Sequence, residues 1–353
     1  MRILLTGGGT GGHVVPHATI IEELNSHADL AIKFVYIGSN SGLEESFCKS
    51  QKIAFKSVFT GKLRRYFSVQ NLFDIFKIPV GVFQSIIHII KFKPDVIFSK
   101  GGYVAIPVVI AGGLLKKKIV IHESDFTPGI ATKISSFFAN KICVPTEKTK
   151  ECFSKKTQDK VVITGNPVRS ELLKGTKKAA LEFLKIKEIK SPVLLVMGGS
   201  TGAFSLNELI WNNLESILKK HTVIHITGKG KMKVVNNKNY FAFEYIDKEL
   251  KDIYAITDSV ICRSGAGTVS EINALGLPAI YVPLGYSASR GDQFDNAKYM
   301  SETPNVILDQ NLINDKKLLT ALKEIQLKKN VRNQKSQNTT PAAKKIVEVI
   351  INV

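Results

Sequence analysis

The chain has 353 residues, 44% of them hydrophobic and 22% charged, and this globular composition excludes a disordered chain. It carries 49 lysines and arginines against 30 aspartates and glutamates, which gives a formal net charge of +19 at pH 7. The length predicts two domains, and the basic excess favours an anionic partner: nucleic acid, an acidic membrane face or a phosphorylated substrate.

Short runs rich in valine and isoleucine alternate with longer helical patterns along the first half of the chain. The predicted strands are Arg2–Thr6, Lys33–Ile37, Asp95–Ser99, Ile119–His122, Lys141–Val144 and Val161–Ile163. Helices are predicted between them, among others at Val14–Asn25, Val69–Lys91 and Ile130–Phe138. Because the strands show little alternation of polar and apolar residues, we expect them to be buried on both faces of a parallel sheet.

The same alternation begins again in the second half, after the turn signal Gly165-Asn166-Pro167. Its predicted strands are Val193–Met197, Thr222–Thr227, Phe241–Tyr245, Ser259–Cys262, Ala279–Val282 and Val306–Leu308. A last helix is predicted at Pro341–Ile351. The pattern therefore predicts an α/β protein with two Rossmann-like domains, each a doubly wound parallel sheet.

Four glycine-rich segments directly follow predicted strands, two in each half. They span residues 7–13, 99–103, 197–203 and 263–268. Open α/β sheets bind ligands at the carboxyl ends of their strands, so these loops are the predicted binding loops. The first contains GxGxxG, but no acidic residue closes the second strand to hold a ribose, which argues against a dinucleotide site.

A few side chains in these loops suit sugar-nucleotide chemistry. His13 is the best general-base candidate, although a lone histidine is more often structural. Glu271, one turn into a helix, could accept hydrogen bonds from ribose hydroxyls or simply complement the helix dipole. Arg263 could equally be a surface cation. The sequence has no Asp-x-Asp pair, so we expect no metal site and no cofactor.

Six motifs are together much more specific than any one glycine loop: 8–13 (GGTGGH), 100–104 (KGGYV), 122–125 (HESD), 165–169 (GNPVR), 198–203 (GGSTGA) and 263–271 (RSGAGTVSE). In this order they resemble the MurG family of N-acetylglucosaminyltransferases, from about residue 2 to the C-terminus. The resemblance implies the GT-B fold, with an acceptor and membrane-docking domain at 1–166 plus the C-terminal helix 341–353. It implies a donor domain at 167–340.

The resemblance also implies the reaction: an inverting, metal-independent transfer of N-acetylglucosamine from UDP-N-acetylglucosamine to the 4-hydroxyl of the muramoyl sugar of lipid I, which gives lipid II for peptidoglycan. Position by position, it assigns the donor to Thr10, Gly11, Gly12, Asp125, Arg169, Ser200, Ile246, Ala266, Gly267, Thr268, Glu271 and Gln293. It assigns the acceptor side to Gly101, Gly102, Tyr103, His122 and Glu123. Asp125 stands where the family often has asparagine, and an ionised carboxylate cannot donate a hydrogen bond, so this contact is expected to differ.

Lipid I lies in the bilayer, and the sequence has no apolar stretch of the about 20 residues that a membrane span needs. The predicted docking surface consists of Arg64, Arg65, Leu72, Phe73, Phe76, Val80 and Phe83. An ordinary core helix explains the apolar pattern equally well, and the resemblance favours docking to anionic inner-leaflet lipids. The expected location is the cytoplasmic face of the bacterial cell membrane, with cell-wall synthesis and division proteins as further partners.

Two other classes of protein share some of these features. A sugar-nucleotide epimerase could also have two facing sheets and a UDP site, but it would need no lipid acceptor. A nucleic-acid-binding protein would explain the basic charge, yet neither a recognition helix nor aromatic residues clustered on a basic sheet is evident. We therefore expect no nucleic acid partner.

Overall fold

The structure is a computed structural model that describes residues 1–27, 29–40, 42–61, 69–199, 202–285, 291–328 and 341–353, with side chains from residue 76 onward in the helix that begins at Val69. The predicted Arg64, Arg65 and Ser200 lie outside these residues, as do the side chains of Leu72 and Phe73. The contacts divide the chain into two units: Met1–Pro167 with Thr340–Val353, and Val168–Thr339.

The first unit contains a seven-stranded sheet in the order β3-β2-β1-β4-β5-β6-β7, in which every pair is parallel. Its strands are β1 (Arg2–Thr6), β2 (Lys33–Ser39), β3 (Ala54–Val58), β4 (Val96–Ser99), β5 (Lys118–His122), β6 (Lys141–Val144) and β7 (Val161–Ile163). Its first eight helices are α1 (Gly11–Val14), α2 (Pro16–Asn25), α3 (Leu43–Ser50), α4 (Val69–Phe92), α5 (Ile106–Leu114), α6 (Ile130–Phe138), α7 (Glu147–Glu151) and α8 (Lys155–Gln158), with a 3₁₀ turn at Tyr103–Ala105. Helices cover both faces, so neighbouring residues of one strand are buried in different apolar layers. Leu4 packs toward α4 and α5, whereas Ile3 and Leu5 pack toward α2.

The second unit contains a six-stranded parallel sheet in the order β10-β9-β8-β11-β12-β13. Its strands are β8 (Val193–Met197), β9 (Thr222–Ile226), β10 (Tyr240–Phe243), β11 (Ser259–Cys262), β12 (Ala279–Tyr281) and β13 (Asn305–Ile307). Its helices are α9 (Lys177–Leu184), α10 (Phe204–Asn212), α11 (Leu214–Leu218), α12 (Leu250–Ile256), α13 (Ala266–Leu275), α14 (Asp292–Asp295) and α15 (Asp315–Leu327), with short turns of other helix types at Ser170–Lys174 and Asn296–Met300. The predicted architecture of two doubly wound parallel sheets is confirmed.

The C-terminal helix α16 (Ala342–Asn352) belongs to the first unit. Ala343, Ile346, Val347 and Ile350 recur at helical spacing and are almost completely buried, in the apolar layer that also contains α2. The chain therefore returns to its first sheet after completing the second.

Each sheet reverses its strand order at one place, between β1 and β4 in the first and between β8 and β11 in the second. At such a switch point the loops that leave neighbouring strands run to opposite faces and leave a crevice. The four glycine-rich segments predicted as binding loops follow these four strands. Two local predictions were incomplete: the sequence analysis missed β3, and the helix predicted from Val14 is two helices, divided at Val15 by Pro16. No helix in the described ranges is both long and apolar enough to cross a bilayer.

Candidate active site

Two glycine loops of the first unit pack against each other, and with residues 122–125 we call them the first loop cluster (7–13, 99–103, 122–125). The Gly8 amide donates to the Gly101 carbonyl at 3.3 Å. Gly9 has φ +89° and Gly102 has φ +80°, and a Cβ on them would overlap the Tyr103 ring and the Gly8 carbonyl, respectively. These glycines are therefore required by the close approach of the two loops as well as by their left-handed backbone.

Two side chains that the sequence analysis missed hold the first of these loops. Glu44, on α3, is buried and accepts a hydrogen bond from the Gly9 amide at 3.0 Å. Tyr36, on β2, donates from its hydroxyl to the Gly7 carbonyl at 2.9 Å. An acidic residue thus does follow the second strand, but it binds the loop backbone directly. Glu44 lies five residues after the end of β2, and this position in the sequence was the signal that could have identified it.

His13 lies near the start of α1, is half-buried, and has a defined ring orientation. Its Nδ1 lies 3.0 Å from the Lys100 carbonyl oxygen. Because a carbonyl oxygen only accepts, the neutral ring carries its proton on Nδ1 in this contact, and the lone pair is on Nε2. This is the tautomer in which Nε2 can act as a base. Thr10 precedes the same helix and Gly11 and Gly12 are its first two residues, with Thr10 and Gly12 exposed.

His122 is the last residue of β5 and Glu123 follows it, and both are buried. The Glu123 carboxylate accepts from the amides of Ser124 (2.8 Å), Asp125 (3.0 Å) and Gly129 (3.1 Å), and from the Thr132 hydroxyl. His122 Nε2 lies 3.0 Å from the Gly165 carbonyl, and burial lowers the pKa of His122 well below its usual value. These two side chains thus hold the backbone of residues 124–129 and 165.

The second unit has its own group of loops, the second loop cluster (198–199, 202–203 and 263–271 among the described residues). Gly265 caps α13, and the first amides of that helix have no carbonyl one turn earlier to bind. A Cβ added to Gly265 or Gly267 would meet no atom within 4 Å. This helix start is therefore open and carries the positive end of the helix dipole, which suits a phosphate.

Arg263 is a buried framework residue, so the surface-cation alternative is wrong. Its guanidinium donates to the carbonyls of Val282 (2.7 Å) and Pro283 (3.1 Å) and to the Ser205 hydroxyl (2.9 Å). It thereby links β11, β12 and the start of α10. Gln293 lies nearby: its backbone carbonyl accepts from the Ser264 hydroxyl at 2.8 Å, and its side-chain oxygen accepts from the Leu284 amide at 3.0 Å.

Glu271 and Arg169, both predicted donor residues, form an ion pair with an N–O distance of 3.5 Å. Tyr254, which the sequence analysis missed, donates to the other Glu271 oxygen at 3.3 Å. Burial raises the pKa of Glu271, and the neighbouring arginine partly offsets this. Ala266, Gly267 and Thr268 form the first turn of α13, and Ile246 is buried three residues after β10.

Family models match both units. The description "Glycosyltransferase family 28 N-terminal domain" matches residues 3–144, and "Glycosyltransferase family 28 C-terminal domain" matches residues 193–350. A relative from Legionella pneumophila (strain Lens) is 42% identical over 353 residues, which cover 99% of this chain and 96% of the relative. That relative is named UDP-N-acetylglucosamine–N-acetylmuramyl-(pentapeptide) pyrophosphoryl-undecaprenol N-acetylglucosamine transferase.

Solved structures share the fold over the whole chain. The crystal structure of Acinetobacter baumannii MurG has a TM-score of 0.73 and 24% identity, and the match covers 100% of this chain and 99% of that one. A UDP-GlcNAc 2-epimerase from Methanocaldococcus jannaschii has a TM-score of 0.64 and 14% identity, with 100% of both chains covered. At these identities the likeness concerns the fold, which a transferase and an epimerase have in common.

Proposed function

Since the chain belongs to the MurG enzymes of glycosyltransferase family 28 and is therefore a hexosyltransferase with the GT-B fold, we propose that it transfers N-acetylglucosamine from UDP-N-acetylglucosamine to lipid I, forming lipid II. The finer proposal is an inverting, metal-independent transfer to the 4-hydroxyl of the muramoyl sugar. The relative that is 42% identical over nearly the full chain is the observation that supports the reaction most directly.

The second loop cluster supports binding of a nucleoside diphosphate. The open start of α13 offers backbone amides to the phosphates, and Arg169 adds a cation that Glu271 already holds in place. In the proposed complex, Glu271 also accepts from ribose hydroxyls. Such donors would stabilise the charge that develops on the departing UDP, which is the contribution a metal ion makes in other transferases. Ser200 and Gln293 remain proposed donor contacts.

The first loop cluster supports the proton transfer. In the proposed displacement, the acceptor oxygen forms a bond to the anomeric carbon as the carbon–oxygen bond to UDP breaks, and UDP leaves with the electron pair. The acceptor hydroxyl proton goes to His13 Nε2, the nitrogen that the Nδ1 contact with Lys100 leaves as the base. A single displacement of this kind inverts the anomeric configuration.

Release of UDP separates the proposed transfer from epimerisation, whose enzymes share the fold. With UDP-N-acetylglucosamine and a soluble lipid I analogue, we expect UDP to appear in proportion to the analogue supplied. In the absence of the analogue, release should be near background. Conversion of the donor to another sugar nucleotide without any acceptor would support the epimerase alternative instead.

Helix α4 supports docking at a lipid surface. Phe76, Val80 and Phe83 are 67%, 49% and 64% exposed, and Ile87 and Ile90 continue the same stripe at helical spacing. Helices α5 and α6, which pack beside it in turn, expose Leu114 and Phe137. An ordinary core helix would bury this face, whereas an apolar stripe left in water marks an interaction surface. We propose that it rests on the anionic cytoplasmic leaflet, where lipid I is reached.

The double substitution Phe76→Glu with Phe83→Glu is expected to weaken binding to vesicles containing anionic lipid by at least about tenfold. It removes two exposed rings and adds two charges that the leaflet repels. Vesicle co-sedimentation measures the loss, and circular dichroism should show an unchanged fold because both side chains face water.

The matched control is Leu312→Glu with Leu327→Glu, which changes two exposed apolar residues of the second unit (64% and 87% exposed). It adds the same charge to the protein and should leave vesicle binding within about twofold. Equal losses in both double variants would mean that overall charge, and not the α4 stripe, determines docking.

A further inference from the structure

One buried charge in the first loop cluster has no part in the proposed reaction: the ammonium of Lys100. Its side chain is 1% exposed, although lysine is among the residue types most rarely buried. A buried ammonium is tolerated only where hydrogen-bond acceptors and opposite charges surround it. The groups around Lys100 therefore indicate what it does.

The Lys100 ammonium donates to two side chains of the 122–125 segment. Its Nζ lies 2.8 Å from His122 Nδ1, and it also donates to the Ser124 hydroxyl. The other His122 nitrogen, Nε2, faces the Gly165 carbonyl at 3.0 Å and must carry the ring proton. The Lys100 ammonium and the Gly165 carbonyl thus both require the Nε2–H tautomer of His122.

Ser124 is held from two directions. Lys100 binds its hydroxyl, and the Asn166 side-chain amide (Nδ2) donates to its backbone carbonyl at 3.0 Å. The next residue is Asp125, whose carboxylate and that of Glu123 both favour the charged form of Lys100. The Glu123 carboxylate is already bound by backbone amides and by the Thr132 hydroxyl.

The backbone carbonyl of Lys100 accepts a hydrogen bond from His13 Nδ1 at 3.0 Å. The Lys100 amide donates to the Thr6 carbonyl at 2.9 Å, which ties the residue to the end of β1. Lys100 therefore connects the proposed base on one loop to the Ser124–Asp125 segment on another.

We propose that Lys100 is a positioning residue of the acceptor half of the site, whose buried ammonium holds His122 Nδ1 and the Ser124 hydroxyl so that residues 122–125 keep the geometry the reaction needs. The inference rests on the proposed function only for its kinetic test.

The kinetic test is a double-mutant cycle of Lys100→Met and Ser124→Ala, measured as kcat/KM for the lipid I analogue. Lys100→Met, which keeps the side-chain length, should lower it by about 30-fold because His122 Nδ1 and the Ser124 hydroxyl lose their donor. Ser124→Ala in that background should cost little more, since the hydrogen bond it removes is already lost. Lys118→Met, an exposed lysine on β5, should change nothing. Strictly additive effects would contradict the proposed pairing.

A second readout does not depend on transfer. Nitrogen-15 NMR of the histidine rings should show the Nε2–H tautomer for His122 in the native protein. In Lys100→Met, His122 Nδ1 loses its donor and a nearby positive charge, so the pKa of His122 should rise. An unchanged His122 in a folded Lys100→Met variant would overturn the proposal. If neither the native protein nor any variant transfers sugar, and the pKa of His122 still rises in Lys100→Met, then the proposed function fails and the role of Lys100 stands.

The pH profile provides a third check. Burial lowers the pKa of Lys100 to about 8, while Glu123, Asp125 and Cys143 oppose this, and His13, His17 and His122 also face the residue. Because the proposal requires the protonated ammonium, kcat/KM should fall as the pH rises through about 8. The pKa of His17 is lowered to about 3 and that of Cys143 raised to about 12, so neither produces a step there. The Lys100→Met variant should lack this alkaline limb, and its persistence would contradict the assignment.

Discussion

Replacing His13 with alanine is expected to lower kcat for transfer to lipid I by about 10²- to 10⁴-fold, the usual contribution of a general base. The proposed base is the Nε2 lone pair, and the hydrogen bond from Nδ1 to the Lys100 carbonyl holds the ring in the tautomer that provides it. Removing the imidazole removes the group that is proposed to take the proton of the acceptor hydroxyl. The KM for UDP-N-acetylglucosamine should change little, because the diphosphate contacts proposed above lie on other residues.

His27→Ala is the matched control. His27 lies in the same unit, after the end of α2, and outside the first loop cluster, so its loss should leave kcat within about twofold. His13→Gln separates the proton transfer from packing, since glutamine fills similar space but cannot accept a proton at neutral pH. Near-normal turnover by either His13 variant, with normal acceptor binding, would remove His13 from the reaction.

Replacing Gly267 with aspartate is expected to abolish most UDP binding, by about 100-fold or more, without loss of stability. The position is exposed on the first turn of α13, and an added Cβ meets nothing within 4 Å. A carboxylate there complements the helix dipole, which stabilises the helix by about 0.3–1 kcal/mol. It also places a negative charge next to the proposed diphosphate, and two adjacent like charges weaken binding by several kcal/mol.

Gly267→Asn separates charge from size, because its side chain has nearly the same shape and no charge. Titration calorimetry with UDP should show a much smaller loss for the asparagine variant than for the aspartate variant. Thermal unfolding should give an equal or higher midpoint for Gly267→Asp than for the native protein. If the aspartate variant bound UDP as the native protein does, the diphosphate would lie elsewhere.

Much of the fold follows from local sequence patterns. Buried parallel strands such as Val193–Met197 and Ile3–Leu5 are continuous apolar runs that few other structures would produce. Strand β3 lacks this pattern because it is at the edge of its sheet, where Lys56 and Ser57 face water. An edge strand forms because of the strand it pairs with, and that strand lies elsewhere in the sequence. The local sequence alone therefore does not identify it.

Part of the site was predictable from the order of the strands and loops along the chain. The four glycine loops follow strands at the switch points, so their order in the chain already indicates their place at the sheet edge. Tyr254 was not predictable, because it binds a carboxylate 17 positions away, and Glu44, 35 positions from the amide it binds, was indicated only by its place after the second strand. Arg263 shows the converse: a charged residue that could equally have been a surface cation is buried because three acceptors from distant segments surround it.

The most direct test of the central claim is the product itself. The protein, incubated with UDP-N-acetylglucosamine and a lipid I analogue in the presence of a metal chelator, should yield the analogue increased in mass by one N-acetylhexosamine. The anomeric proton coupling of that product, measured by NMR, should show a β linkage at the 4-position of the muramoyl sugar. No mass increase would contradict transfer to lipid I, and an α-linked product or complete inhibition by the chelator would contradict the inverting, metal-independent mechanism.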